Sequence, residues 1–223
     1  MMTYETALTA ETQDRIDRIG RADLLVGIPS FRNASTIAHV VRSVLGGLIT
    51  YFPGMRSVLF NSDGGSDDGT REVVMDCAKG TDVDVIADVY QGLPGKGSAF
   101  RAIFEAATRL GVTACAVVDS DLRSITPDWL ERLIAPIVRD RFAYVAPFYI
   151  RHKHDGTITN NITYPMTRML YGVDVRQPIG GDFGFSGQLA EFWARQNVWE
   201  SDVARFGIDI WMTTTAFAEG FRV

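Results

Sequence analysis

Ala114-Cys115-Ala116-Val117-Val118 is a short apolar run that ends abruptly in Asp119-Ser120-Asp121. A run of this length, with no polar member, reads as a strand buried on both faces of a parallel sheet. Two carboxylates at i and i+2 then leave the strand together. In open α/β sheets the carboxyl ends of the strands border the ligand crevice. There the pair could share one hard divalent cation, directly or through water, while that cation also grips phosphate oxygens. The plain alternative has Asp119 capping a turn and Asp121 solvated, and an isolated Asp-x-Asp does not choose between the two.

Three other segments have the same form, a strand followed by a polar turn and a helix start. Gly27-Ile28-Pro29-Ser30-Phe31-Arg32-Asn33 leaves a strand through Pro29, and Asn33 or Ser35 could cap the helix that follows. Backbone groups in such a turn can read the edge of a nucleobase. No G-x-G-x-x-G is present and Pro29 stands where a dinucleotide fold needs glycine, which argues against a dehydrogenase. In Asn61-Ser62-Asp63-Gly64-Gly65-Ser66-Asp67-Asp68, the last two acids suit a helix cap, leaving Asp63 to accept from a base N–H. In Gln91-Gly92-Leu93-Pro94-Gly95-Lys96-Gly97, a glycine-rich turn opens a helix and Lys96 offers a point charge to a phosphate. The spacing is not that of a Walker loop. Acidic pair, lysine and Asp63 together suggest a nucleoside-diphosphate-sugar site.

These turns need strands and helices to hold them. Strands are expected at Leu24–Ile28, Ser57–Phe60, Val83–Val89, Ala114–Val118 and Ala143–Ile150. A polar helical arm precedes the first, over about residues 9–19. Ile37, Val40, Val41, Val44, Leu45 and Leu48 form an amphipathic helical stripe, as do Phe100, Ile103, Phe104, Ala107 and Leu110. Further helices are expected near Asp67–Cys77 and from Pro127. The alternation predicts a doubly wound, mostly parallel sheet with helices on both faces and right-handed crossovers. Beyond Ile150 the pattern is irregular, with helices near Met166–Tyr171, Leu189 and Ile208. Trp193 and Trp211 read as packing, whereas Phe183, beside two glycines and an acid, reads as a cleft residue.

The 223 residues suit one large α/β domain. A net charge of -5 with scattered Lys and Arg carries no footprint for nucleic acid. No apolar stretch is long enough to span a membrane, and the N-terminus has no apolar signal core. Two cysteines, Cys77 and Cys115, make no disulfide framework, so a reducing cytoplasm is the expected setting. The chain stops at Phe221-Arg222-Val223 directly after an apolar helix, an ending expected of a cut through a longer protein.

Taken in order, the four segments resemble the GT-A glycosyltransferases of the family 2 type, over about Leu24 to Phe217. The sequence is most similar to their retaining members, the glucosyl-3-phosphoglycerate and mannosylglycerate synthases. Pro94-Gly95-Lys96-Gly97, Asp119-Ser120-Asp121-Leu122, Gln177-Pro178-Ile179-Gly180-Gly181-Asp182-Phe183 and Phe206-Gly207-Ile208-Asp209-Ile210 carry that likeness. The resemblance implies one GT-A (Rossmann-like) domain over 1–223, with a nucleotide half at about 24–150 and an acceptor half at about 151–223. It puts the base at Pro29, Ser30 and Asp63, and the nucleotide and its phosphates at Gly95 and Lys96. Ribose and metal (Mg²⁺ or Mn²⁺) fall at Asp119, Ser120 and Asp121, with Asp121 the direct ligand. The donor sugar falls at Gly180, Gly181 and Asp182. Asp209 would face the acceptor hydroxyl, and Thr159 would lie near the acceptor's carboxylate or phosphate. Lys96, Asp182 and Asp209 are thus the expected catalytic set.

Two departures accompany the likeness. The family's third metal ligand is a histidine, and no histidine follows His154 here. Thr157 stands where the phosphoglycerate enzymes carry arginine, which bears on whether the acceptor is phosphorylated. His152 and His154, with Arg151 and Lys153, read as a basic surface turn. The expectation is a metal-dependent hexosyl transfer from a UDP- or GDP-hexose to a small hydroxy acid, with retention. An inverting enzyme acting on a polysaccharide or lipid-linked acceptor is the second reading, and a catalytically silent nucleotide-sugar-binding module the third. A homodimer is compatible with each.

Overall fold

A computed structural model of the chain describes residues 5–150, 152 and 154–223. The strands are β1 (Leu24–Ser30), β2 (Ser57–Asp63), β3 (Asp84–Val89), β4 (Ala114–Val118), β5 (Tyr144–Val145) and β6 (Asp182–Ser186). They form one sheet in the order β3-β2-β1-β4-β6-β5. β1 to β4 run parallel, and β6 is antiparallel to both its neighbours. Alternate side chains separate the two faces, as the pleat requires. Leu25, Val58, Phe60, Cys115 and Val117 belong to one buried cluster; Leu24, Val26, Leu59, Ala114 and Ala116 belong to the other.

Helices cover both faces. α2 (Ile37–Tyr51), α3 (Thr70–Cys77) and α5 (Asp128–Asp140) pack on the second cluster. α1 (Ala10–Ile19), α4 (Lys96–Leu110), α7 (Gly187–Ala194) and α8 (Ile208–Ala218) pack on the first. α6 (Tyr164–Tyr171) stands outside both. Every residue of the two expected apolar stripes, on α2 and α4, is buried. Each such aliphatic or aromatic side chain contributes roughly 1.5–3 kcal/mol by leaving water. The chain winds from β1 to β2 and β3, then crosses through α4 to place β4 on β1's other side. β1 and β4 therefore flank a topological switch point, where a crevice opens at their carboxyl ends.

The late part of the chain departs from the expected pattern. The strand expected over Ala143–Ile150 pairs only at Tyr144 and Val145. Pro147 has no N–H to extend a ladder, and the segment lies at the sheet's edge. β6, which no apolar run announces, fills the gap between β4 and β5. Phe183 and Phe185 point from it into the first cluster, Phe183 stacking on Tyr144 at 5.6 Å. Phe183 is therefore a core residue and not a cleft residue. Gly184, between them, faces α5 so closely that a Cβ there would stand 2.1 Å from the Leu133 carbonyl oxygen. Trp193 is fully buried, as expected.

Candidate active site

At the switch point lies a cavity of about 950 Å³. Pro29 and Ser30, ending β1, and Asp119-Ser120-Asp121, following β4, form its floor. Pro94, Gly95 and Lys96 close one side at the start of α4, and Gly180 and Asp209 close the other. Thr159 lines it from a π-helical turn at Thr159–Thr163.

Polar bonds stitch the floor together. Asn33 Oδ1 accepts from the Ser120 hydroxyl at 2.8 Å and from the Phe31 N–H at 2.9 Å. Thr36 donates to the Ser120 carbonyl at 3.1 Å. These bonds tie the turn after β1 to the turn after β4. Asn61 donates to Ser30 Oγ at 2.8 Å, and Ser30 in turn donates to Asp63 at 2.7 Å. Asp63 also accepts from the Gly65 and Ser66 N–H groups and the Ser66 hydroxyl. A carboxylate offers about four lone-pair sites, and all are taken. Asp63 is fully buried and does not line the cavity. In this structure it holds the Gly64–Ser66 turn and the Ser30 hydroxyl.

The electrostatic centre is Lys96, the one cation lining the cavity among the described residues. Its ammonium lies 2.9 Å from Asp119, and 3.4 Å from both Asp209 and the Gly180 carbonyl. Glycines on either side make this placement possible. A Cβ on Gly97 would stand 1.9 Å from the Val203 carbonyl oxygen, and one on Gly95 would stand 2.5 Å from Arg205. The π-helical turn Val203–Gly207, which leads into α8, can thus press onto the start of α4. That contact brings Asp209 to Lys96.

Burial pushes the Asp119 carboxyl up to about 6, with Lys96 opposing the shift. Asp182, at the start of β6, is pushed to about 7 by burial and by Asp119's charge. Neither of its carboxylate oxygens has a hydrogen-bond partner. Burial also raises Asp209, against Lys96. For Lys96 itself burial works downward, but Asp119 and Asp209 outweigh it and the pKa rises. One ammonium thus serves several half-desolvated carboxylates, which suits a site that receives a further cation or a polar ligand.

Residues 25–191 match the family described as Glycosyl transferase family 2. The chain belongs to glycosyl transferase family 2. No curated protein matches it by sequence. Among solved structures it is similar to glucosyl-3-phosphoglycerate synthase from Mycobacterium tuberculosis in complex with Mn²⁺, UDP-glucose and phosphoglyceric acid. That likeness has 22% identity and a TM-score of 0.61 over 83% of this chain and 64% of that one. The complex of that enzyme with Mn²⁺, UDP and phosphoglyceric acid gives 19% identity and a TM-score of 0.65, over 97% and 71%. Mannosyl-3-phosphoglycerate synthase from Rubrobacter xylanophilus gives 20% identity and 0.58, over 79% and 56%. At these identities the likeness is one of fold, here the GT-A arrangement.

In this glycosyltransferase the cavity brings together Pro29, Ser30, Gly95, Lys96, Asp119, Ser120, Asp121, Thr159, Gly180 and Asp209. It leaves Asp63, Gly181 and Asp182 behind its walls. Gly181 accepts the Asp119 N–H at 2.7 Å, and a Cβ on it would strike the Asp119 carboxylate at 2.6 Å. Neither expected acid caps α3, whose N-cap is Gly69: Asp68, one residue earlier, accepts the Thr70 N–H at 3.2 Å, and Asp67 pairs with Arg32 at 2.9 Å. Tyr90 and Phe31 also line the cavity and were not singled out from the sequence. Tyr90 follows β3 directly, so the strand-end rule that found Asp119 would have found it. His152 and His154 are exposed, and Arg151 and Lys153 lie outside the described residues.

No group of three or more metal-ligating side chains occurs among the described residues. Asp119 and Asp121 nevertheless put two hard carboxylates on one cavity wall. Mg²⁺ commonly needs no more from a protein than one or two carboxylates, with phosphates and water completing its shell.

Proposed function

We propose that this glycosyltransferase moves a hexose from a nucleotide-diphosphate sugar to a small hydroxy-acid acceptor, with retention at the anomeric carbon. The observation that carries the reading is the convergence of Lys96, Asp119, Asp121 and Asp209 on one cavity at the β1–β4 switch point. The ligands bound in the similar structures, Mn²⁺ or Mg²⁺, UDP-glucose and phosphoglyceric acid, support it. The nucleoside would lie over Pro29 and Ser30, the diphosphate by Gly95, Lys96 and Asp121, and the sugar toward Gly180 and Asp209. Residues 24–150 would form the nucleotide half and 151–223 the acceptor half of one domain.

Asp119 and Asp121 would hold a Mg²⁺ or Mn²⁺ ion, which when bound supplies Lewis-acid stabilisation of the leaving diphosphate. The chain's own contribution is positioning and charge. Lys96 offers an ammonium to the diphosphate as its charge develops. Asp209 accepts from the acceptor or donor hydroxyls and orients them for attack from the leaving-group face. Retention lets a departing phosphate oxygen take the acceptor's proton, so no protein base is required. Among the described residues Lys96 is the one cation lining the cavity, which suits an acceptor bearing a single carboxylate better than a phosphorylated one.

One observation favours the inverting reading. Burial raises the Asp209 pKa against the pull of Lys96, and one of its oxygens has no hydrogen-bond partner, as a base facing an acceptor hydroxyl would require. The product's anomeric configuration separates the two. With UDP-glucose or GDP-mannose, manganese and D-glycerate, the one-bond carbon–proton coupling at the new anomeric centre should report an α-linked glycoside. A β-linked product would establish inversion, and no transfer to any hydroxy acid would remove the acceptor assignment.

A further inference from the structure

The ammonium of Lys96 sits among oxygens much as a bound cation would. It touches a carboxylate at the end of β4, another on α8 and the carbonyl of Gly180, at 2.9 to 3.4 Å. No other cation lines this wall among the described residues, and Asp119, Asp182 and Asp209 all lie within its electrostatic reach. Leaving such carboxylates buried without a positive charge is strongly unfavourable.

Resting on the donor-site reading above, we infer that Lys96 is a resident counter-ion that Asp119 exchanges when donor and metal enter. In the ligand-free protein the ammonium neutralises Asp119 and Asp209. A divalent ion arriving alone must compete with it for the same Asp119 carboxylate. A nucleoside diphosphate gives the ammonium a new anionic partner, so its departure from Asp119 no longer strands a charge. Metal and nucleotide should therefore assist each other through Lys96, beyond the direct bonding of phosphate to metal. The coupling is reciprocal by linkage. Gly95 and Gly97 serve this exchange by bringing the Val203–Gly207 turn and Asp209 into place, so that the ammonium keeps one carboxylate while releasing the other.

The test measures free Mn²⁺ by electron paramagnetic resonance in mildly alkaline buffer, with and without UDP. Wild type should bind Mn²⁺ weakly alone and more tightly with UDP. Lys96→Met should bind Mn²⁺ alone more tightly than wild type, by about tenfold, while its gain on adding UDP shrinks. Lys96→Arg, which keeps the charge, should resemble wild type. Unchanged or weaker Mn²⁺ binding by folded Lys96→Met, with wild type still responding to UDP, overturns the exchange and leaves the donor site standing. Failure of wild type to bind Mn²⁺ even with UDP overturns both. Should Lys96→Met not fold, Lys96→Gln takes its place, and a ¹⁵N-lysine spectrum of wild type gives an independent reading. The Lys96 ammonium signal must shift on adding Mg²⁺ with UDP; an unmoved signal overturns the exchange.

Discussion

Asp63 and Asp182 occupy comparable places and live in opposite circumstances. Each is a fully buried aspartate at one end of a strand, beside the cavity but not lining it. Asp63 receives donors from Ser30, Gly65 and Ser66 that use all its acceptor capacity. Asp182 receives none on either oxygen, and burial pushes it to about 7. The β1–β2 side of the cavity is thus a closed polar scaffold, with its acceptors and donors already paired. The acid side keeps carboxylates whose partners the fold has not supplied, a state typical of sites that do chemistry.

The largest effect should come from breaking the closed side. Asp63→Ala leaves at least four donors facing a buried void, and each unsatisfied group costs about 1–3 kcal/mol. A loss of about 5 kcal/mol in urea unfolding is expected, enough to unfold many domains. A variant that melts near wild type would show that Asp63 does not anchor the turn.

Asp182 should act through pH. Its folded value, about 7, lies above the ordinary 3.8 of an aspartate, so the folded state binds the extra proton between those limits. Its contribution is fully present below about pH 4 and is lost as pH rises through about 7, by up to about 4 kcal/mol. Asp182→Asn should flatten that part of the stability–pH curve. Asp119 will keep a smaller slope of the same sign, since burial raises it too. An unchanged curve in Asp182→Asn would place the titration elsewhere.

The smallest effect sharpens the contact between the two sides. Gly97→Ala puts a methyl group against the Val203 carbonyl and should cost about 1–3 kcal/mol by overpacking. Because the Val203–Gly207 turn carries Asp209 toward Lys96, turnover should fall more than donor affinity does. Equal loss in both would mean that the turn serves packing alone.

β4 runs over Ala114–Val118 as its apolar run predicts, and the α2 and α4 stripes are buried throughout. β1 and β2 extend two and three residues past their expected ends, because Pro29-Ser30 and Asn61-Ser62-Asp63 keep the ladder while turning polar. Polarity marked where the site begins, not where the strand stops. β6 was illegible for a related reason. Its glycine argues locally against a strand, and only the approach of α5 explains it.

The sequence by itself determined the doubly wound core, the strand ends that present Ser30, Asp119 and Asp121, and the helix start that bears Lys96. Periodicity and turn chemistry are local, and a parallel sheet places such ends along one edge. Only the tertiary structure decided which acids face the cavity and which lie behind it. Asp63, Asp182 and Asp209 are alike as residues. Donors from the neighbouring turn close the first, burial in β6 leaves the second bare, and a turn pressed against two glycines delivers the third to Lys96. Those differences come from contacts between distant segments, which no window of sequence contains.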